Sequence, residues 1–439
     1  MLVIVYATVA LVAALAATVR RGEFRALSDE NRWAGVAVVL VTGWPMMWTF
    51  FLGPLIVGSP TSALFPTLWY LPSAGIAVLI MRNAFNTRGF RVDVPVAIIA
   101  AVSALAGAGL LLAGSTVSEI QRWVLAAVIL AIAAFKRERV TLAALAWGCR
   151  MSLLLIASTI VAAVVGVPGA VGACRTDKCG SAGQALTSPF AGNGNVLGLT
   201  VALLLPFALV HRRWPAAAAL VLSVVALGEL AGSRTALLGV AIVVAMTIAL
   251  RLSNARRTVA SLGLGLSLAL SLAPVLLSYG DEAFSFRGTL WNEAKLLIGR
   301  TIVLGQGPAA WERIGTTSVF DSNYSPHNAW LDMTLSVGVA GVALIVAAVA
   351  LKAFLLTGEE RSTLIVFICG LLGISTLESL LTPYFLGILP CTPVLLLLMG
   401  PGRLLTPRRF TSRRAVLRRR RRPLDIDAPV PATTTRGAP

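Results

Sequence analysis

Apolar residues in this chain come in long unbroken runs, neither alternating as in a half-buried strand nor confined to one stripe as on a surface helix. Runs of about 17 to 25 residues recur almost from end to end, each long enough as a helix to cross a hydrocarbon core of about 30 Å. Spans are predicted at 2–19, 33–57, 63–81, 94–113, 120–135, 142–166, 194–210, 215–231, 235–250, 259–279, 328–351, 362–381 and 383–400. The pattern predicts an all-α fold, a polytopic integral membrane helical bundle of about 12–13 transmembrane helices. It would occupy residues 1–402, followed by a basic tail at 403–439. The first run, "MLVIVYATVALVAALAATVRR", has its positive charge after the apolar stretch, so it reads as a retained helix rather than a cleaved signal peptide.

Composition agrees: 57% of residues are hydrophobic, mean hydropathy is +0.83, and only 13% are charged, against about 25% in soluble domains. A soluble domain with its own core is excluded. The net charge of +18 does not point to nucleic acid, because the basic residues flank helices and fill the tail, as topology determinants do. With "RRFTSRRAVLRRRRRP" fixed in the cytoplasm and the spans alternating, 29 of the 37 basic residues fall inside. The eight left outside are Arg122, Arg175, Lys178, Arg234, Arg287, Lys295, Arg300 and Arg313. Arg150 lies within the 142–166 run, so that helix is expected to begin at the interface and cross later. The tail, with "PLDIDAPVPATTTRGAP" after its arginines, is expected to be disordered and to rest on anionic membrane lipids.

Two extracytoplasmic loops are then long, 167–193 and 280–327. In the second, "TLWNEAKLLIG" predicts an amphipathic helix, with Leu290, Trp291, Ala294, Leu297 and Ile298 on one face, resting on the membrane surface. The first contains Cys174 and Cys179, which in an oxidising location read as a disulfide closing a small loop, or less simply as half of a metal pair. "SPFAGNGNVLG" places Asn193 and Asn195 at a helix entrance, where asparagine either caps the helix or, with the glycines, faces a sugar or phosphate.

Arg234, in "GELAGSRTALLGV", stands against the charge asymmetry at a membrane boundary, where a guanidinium is either paired, with Glu229 as one partner, or holds an anion. Arg287 in "FSFRGTLWNEA" adds a second outer guanidinium. His327, in "SPHNAWL", precedes Asn328 at the mouth of a span, where an imidazole is either structural or a base near neutral pH. The other histidine, His211, sits among arginines at a cytoplasmic flank. Asp332 lies about 140° around the helix from His327 and is poorly placed to orient the ring. Glu378, near the outer end of its span, would neutralise an arginine or touch a sugar.

Taken in order, "GNGNVLG", "LLLPF", "GSRTALL", "RGTLWNEA", "VLGQGPAAW" and "SPHNAWL" followed by "GVAG" resemble the O-antigen ligase and polymerase superfamily over roughly residues 185 to 345. The resemblance implies a glycosyltransferase-C-like helical fold with a large extracytoplasmic loop near 280–327. It also implies transfer of a glycan from a polyprenyl diphosphate donor to a glycan or glycolipid acceptor at the outer face of a bacterial cytoplasmic membrane, in surface polysaccharide assembly. Arg234 and Arg287 match the family's diphosphate-binding arginines and His327 its acceptor-activating histidine; no cofactor or metal is implied. Asn193, Asn195, Asn328 and Glu378 are expected beside the substrate. Such a transfer requires charge stabilisation at the diphosphate and a base for the hydroxyl. A single displacement would invert the anomeric carbon.

Richness in Ala, Val and Arg fits a GC-rich bacterium, so the acceptor need not be lipid A. The rival from another class is a transporter or flippase of lipid-linked or charged solutes, against which stands the lack of an internal repeat. A peptidoglycan-polymerising glycosyltransferase is a second rival, without this arrangement of arginines and histidine.

Overall fold

A helix satisfies its own backbone hydrogen bonds, which is why apolar runs fold as helices in a membrane. The computed structural model describes residues 2–18, 22–58, 64–86, 91–112, 134–136, 139–174, 181, 183–190, 194–299, 301–307, 310–313 and 325–379. They belong to one unit, residues 1–404. The predicted spans at 120–135 and 383–400 and the tail at 403–439 lie outside the described residues.

The described helices are α1 (Leu2–Thr18), α2 (Asp29–Ile56), α3 (Leu64–Asn86), α4 (Val94–Leu112), α5 (Leu142–Gly166), α6 (Asn195–Ala208), α7 (Trp214–Leu230), α8 (Arg234–Leu252), α9 (Arg256–Leu276), α10 (Ala283–Ile298), α11 (Ala310–Arg313), α12 (Ala329–Leu355) and α13 (Gly358–Ser375). Two short antiparallel pairings join loops, β1 (Arg91–Val92) with β2 (Phe135–Lys136) and β3 (Val171–Ala173) with β4 (Gln184–Leu186). Helices α2, α5, α8, α9 and α12 are long and apolar enough to cross a membrane. The apolar segments Leu2–Thr18, Val94–Ala108, Asn195–Ala208 and Trp214–Leu230 are shorter.

Helix α6 is central. It packs against α5, α7, α8 and α13, and every residue from Leu197 to Ala208 is buried, as expected of a helix apolar all round. Its N-terminal turn fits closely against the α7–α8 turn because two residues lack side chains. A Cβ on Gly194 would lie 2.7 Å from Ala231 Cα, and one on Gly198 2.7 Å from Ser233 Cβ. With 14 residues, α6 is about 21 Å long, too short to bridge a core of about 30 Å. Both of its polar ends must therefore find partners inside the protein.

Helix α2 widens into π-helical turns at Val39–Gly43 and Trp48–Leu52, just before Pro45 and Pro54, whose rings crowd the preceding turn and which offer no N–H. Rings of Trp44, Trp48, Phe65 and Phe190 stack in succession from α2 across α3 to the loop that leads into α6.

Two expectations need correction, and a third residue has an environment the sequence did not show. The apolar face of α10 does not lie on a membrane surface: Leu290, Trp291 and Ala294 pack on Trp311 of α11 and on Leu331 and Leu335 of α12. Arg150 is buried against protein within α5, where the short α6 leaves carbonyls that need donors. Lys352, one residue past the predicted span 328–351 and so expected in the following loop, is instead buried in the last turn of α12 and pairs with Asp93 at 2.5 Å.

Candidate functional site

Three helix N-termini meet at the Asn195 end of α6. Asn195 opens α6, Ser233 caps α8 by accepting from Ala236 N–H at 3.3 Å, and Asn328 caps α12 by accepting from Trp330 and Leu331 N–H at 3.1 Å. Unsatisfied N–H groups and aligned peptide dipoles make each such end positive. Ser233 Oγ also donates to Asn195 Oδ1 at 2.5 Å, joining two of these ends.

Glu378 gathers the site. It sits in the turn after α13, its N–H bonded to Ile374 O at 3.1 Å, and its side chain is 2% exposed. Oε1 accepts from Arg287 Nη2 at 3.0 Å and from Asn195 Nδ2 at 3.2 Å, while Oε2 lies 3.2 Å from His327 Nδ1. A buried carboxylate is costly unless paired and hydrogen-bonded, and here it has a guanidinium, an amide and an imidazole. With a carboxylate accepting from Nδ1–H, the neutral ring carries its basic lone pair on Nε2.

Backbone strain accompanies two of the three partners of Glu378, His327 and Arg287. His327 has φ +51°. Phe284, Ser285 and Phe286 form three successive left-handed residues before α10 becomes regular at Arg287, a conformation costing about 1–2 kcal/mol per residue. This turn starts the helix where Arg287 reaches across to α13.

The structure thus brings together His327, Arg287, Asn195 and Glu378, four of the residues the sequence singled out. Arg234 follows Ser233 directly; it is exposed and has no hydrogen-bonding or ionic partner among the described residues. Glu229 does not neutralise it, accepting instead from Ser181 N–H at 3.1 Å. Asn328 was expected to touch substrate, yet it is fully buried. Its amide donates to Ser271 O, Ser375 O and Thr376 O, so it positions His327 by tying α9, α12 and α13. Asn193 and Cys179 lie outside the described residues; Cys174 is disulfide-bonded, and Cys149 and Cys369 are free and buried. His211 is exposed and pairs with Glu359 at 3.3 Å, away from the site.

Sequence reasoning missed Ser233 and Trp330, whose Nε1 donates to Ser271 Oγ at 2.9 Å. Ser233 was discoverable: a serine immediately before an apolar helical run is a capping signal. The assembled site can hold an anion, through Arg234 and Arg287 at positive helix ends, and can accept a proton, through an imidazole oriented by a carboxylate. No protein-family model matches this chain, and no curated protein matches it.

Proposed function

We propose that this chain is a membrane glycosyltransferase that moves a glycan from a polyprenyl diphosphate carrier to an acceptor hydroxyl. The reaction takes place at the extracytoplasmic face of a bacterial cytoplasmic membrane, within a glycosyltransferase-C-like polytopic bundle. The observation that carries this reading is the Glu378 carboxylate, which bonds Arg287, Asn195 and His327 at once, near Arg234, which has no partner among the described residues. Excess positive charge among three helix N-termini suits a diphosphate. The charge asymmetry of the loops supports placing this end outside.

In the proposed step His327 Nε2 takes the proton of the acceptor hydroxyl as its oxygen attacks the anomeric carbon. The bond from that carbon to the diphosphate oxygen breaks, and polyprenyl diphosphate leaves with its electron pair. Arg234 and Arg287 hold the charge that develops on it, and Glu378 stabilises the imidazolium as it forms. One displacement inverts the anomeric centre. Removing such a base lowers rate by about a hundredfold to ten-thousandfold.

Transfer is measured in membranes supplied with polyprenyl diphosphate glycans, comparing wild type with His327→Ala, Arg234→Ala and Arg287→Ala. Loss of product in all three is expected; normal product formation in well-expressed variants overturns the assignment. A transporter of lipid-linked solutes is the second reading, favoured by one feature, the break in α12 at Gly338, since transporters use broken helices near the midplane. Movement of labelled lipid-linked glycan across liposomes without new glycosidic bonds would select it.

A further inference from the structure

Helix α12 is interrupted. Gly338, at φ +69°, leaves the helical region, so residues 329–337 and 339–355 are two half-helices. Such a break strands the last carbonyls of one half and the first N–H groups of the other. Segment 301–307 supplies both kinds of partner. Gln306 and Gly307 N–H donate to Leu335 O and Ser336 O at 2.7 and 3.0 Å, while Val339 and Ala340 N–H donate to Ile302 O and Val303 O at 2.9 and 3.2 Å. Glycine is needed on each side: a Cβ on Gly338 would lie 2.1 Å from Val303 O, and one on Gly305 2.6 Å from Gly338 N.

The backbone of this segment is paired, but among the described residues nothing covers its three aliphatic side chains. Ile302, Val303 and Leu304 are 52%, 61% and 78% exposed, and "TIVLGQG" carries no charge. The break comes after nine residues of a helix long and apolar enough to cross a membrane, about 14 Å along its axis, near the middle of a core of about 30 Å. Irregular backbone survives at that depth where protein groups satisfy it.

We propose that residues 301–307 are a re-entrant membrane clip whose tip, Ile302 to Leu304, is seated among the acyl chains of the bilayer. The occupant is acyl chain because the tip is uncharged, aliphatic and uncovered at a depth where the solvent is hydrocarbon. The clip also fastens two parts of the candidate site. Gln306 Nε2 donates to Leu297 O of α10 at 2.8 Å while its N–H holds α12, so the helix carrying Arg287 and the half-helix that follows His327 are tied to one strap. The inference rests on α12 spanning the membrane and is independent of the transfer reaction.

The test uses full-length protein in phosphatidylcholine–phosphatidylglycerol liposomes, with a nitroxide on Leu304→Cys or on Val303→Cys and labelled wild type as the blank. Asn254→Cys, on the α8–α9 loop, is the aqueous control. Collisions with dissolved oxygen and with a water-soluble nickel chelate report depth. Frequent oxygen collision with loss of nickel collision is expected at both tip positions. Nickel collision matching the Asn254→Cys control overturns the proposal, and so does protection from both reagents, which means that protein covers the tip. Adding Gly338→Ala, or Gly305→Ala where the first does not fold, should release the clip and restore nickel collision. An unmoved label in the folded double variant overturns the clip as the holding device.

Discussion

The two ends of α6 use arginine in opposite ways. At one end Arg150 donates to Ala208 O and Val210 O, Arg251 donates to Leu209 O and Arg212 O, and Glu23 pairs with both Arg150 and Arg212. Cations there meet the negative end of a helix and the carbonyls it leaves without donors, an arrangement favourable in itself. At the other end Arg287 and Arg234 stand among positive helix N-termini, with one carboxylate between them, His327 and Asn195. Arg234 at that end is exposed and has no hydrogen-bonding or ionic partner among the described residues. The first set of guanidiniums completes the structure; in the second, Arg287 is paired with Glu378, and under the proposed reading Arg234 is the one that meets an anion.

Four outcomes would sharpen or break this contrast. The largest effect is expected from Glu378→Ala, which strips one partner from His327, Arg287 and Asn195 together. Breaking a buried pair in this way costs about 3–5 kcal/mol, read as a fall in thermal midpoint in detergent, and transfer should be lost with it. Arg150→Ala should cost a comparable amount of stability, about 3–5 kcal/mol, while transfer per folded molecule is unchanged. Lost transfer in folded Arg150→Ala would erase the distinction between the ends.

Arg234→Ala should reverse that pattern. Its stability change should stay within about 0.5 kcal/mol, as for other exposed positions, while transfer falls by about a hundredfold or more, as for loss of a charge-stabilising donor. A large loss of stability would mean that Arg234 is structural after all. The smallest effect is expected at Glu293 on α10, whose carboxyl burial pushes up from its ordinary range. A carboxyl with a raised folded-state pKa contributes most to stability when protonated, and that contribution is lost as pH rises through the raised value. Glu293→Gln should therefore be slightly more stable than wild type at neutral pH, and the difference should close below about pH 4. An unchanged gap across that range would remove Glu293 as its cause.

Hydropathy made the helices legible because an unbroken apolar run has few other ways to satisfy its backbone. Much of the candidate site was legible for a related reason: Glu378 interrupts a predicted apolar span, Arg234 and Arg287 stand against the charge asymmetry of the loops, and His327 lies at the mouth of a span. Their pairing was less so. His327 and Glu378 are 51 residues apart, and although consecutive helices α12 and α13 return the chain to the same end, only side-chain geometry brings Nδ1 to Oε2. The break at Gly338 was hidden, since "SVGVAGVALIV" reads as continuous apolar helix and the groups that stabilise the break come from another segment. The burial of Arg150 was hidden too. Its partners at Ala208 and Val210 exist because α6 ends early, and length is what an apolar run reports least well.

Helix α6 meets protein on all sides, so bilayer thickness does not set its length. It acts as a spacer with a fixed rotational register. Inserting one residue between Gly198 and Leu203 would turn Asn195 by about 100° relative to Arg150 and Arg251, carrying its amide away from Glu378 while the far end stays fastened. The reach from one polar end to the other, and the angle between them, are therefore set in residues rather than in lipid.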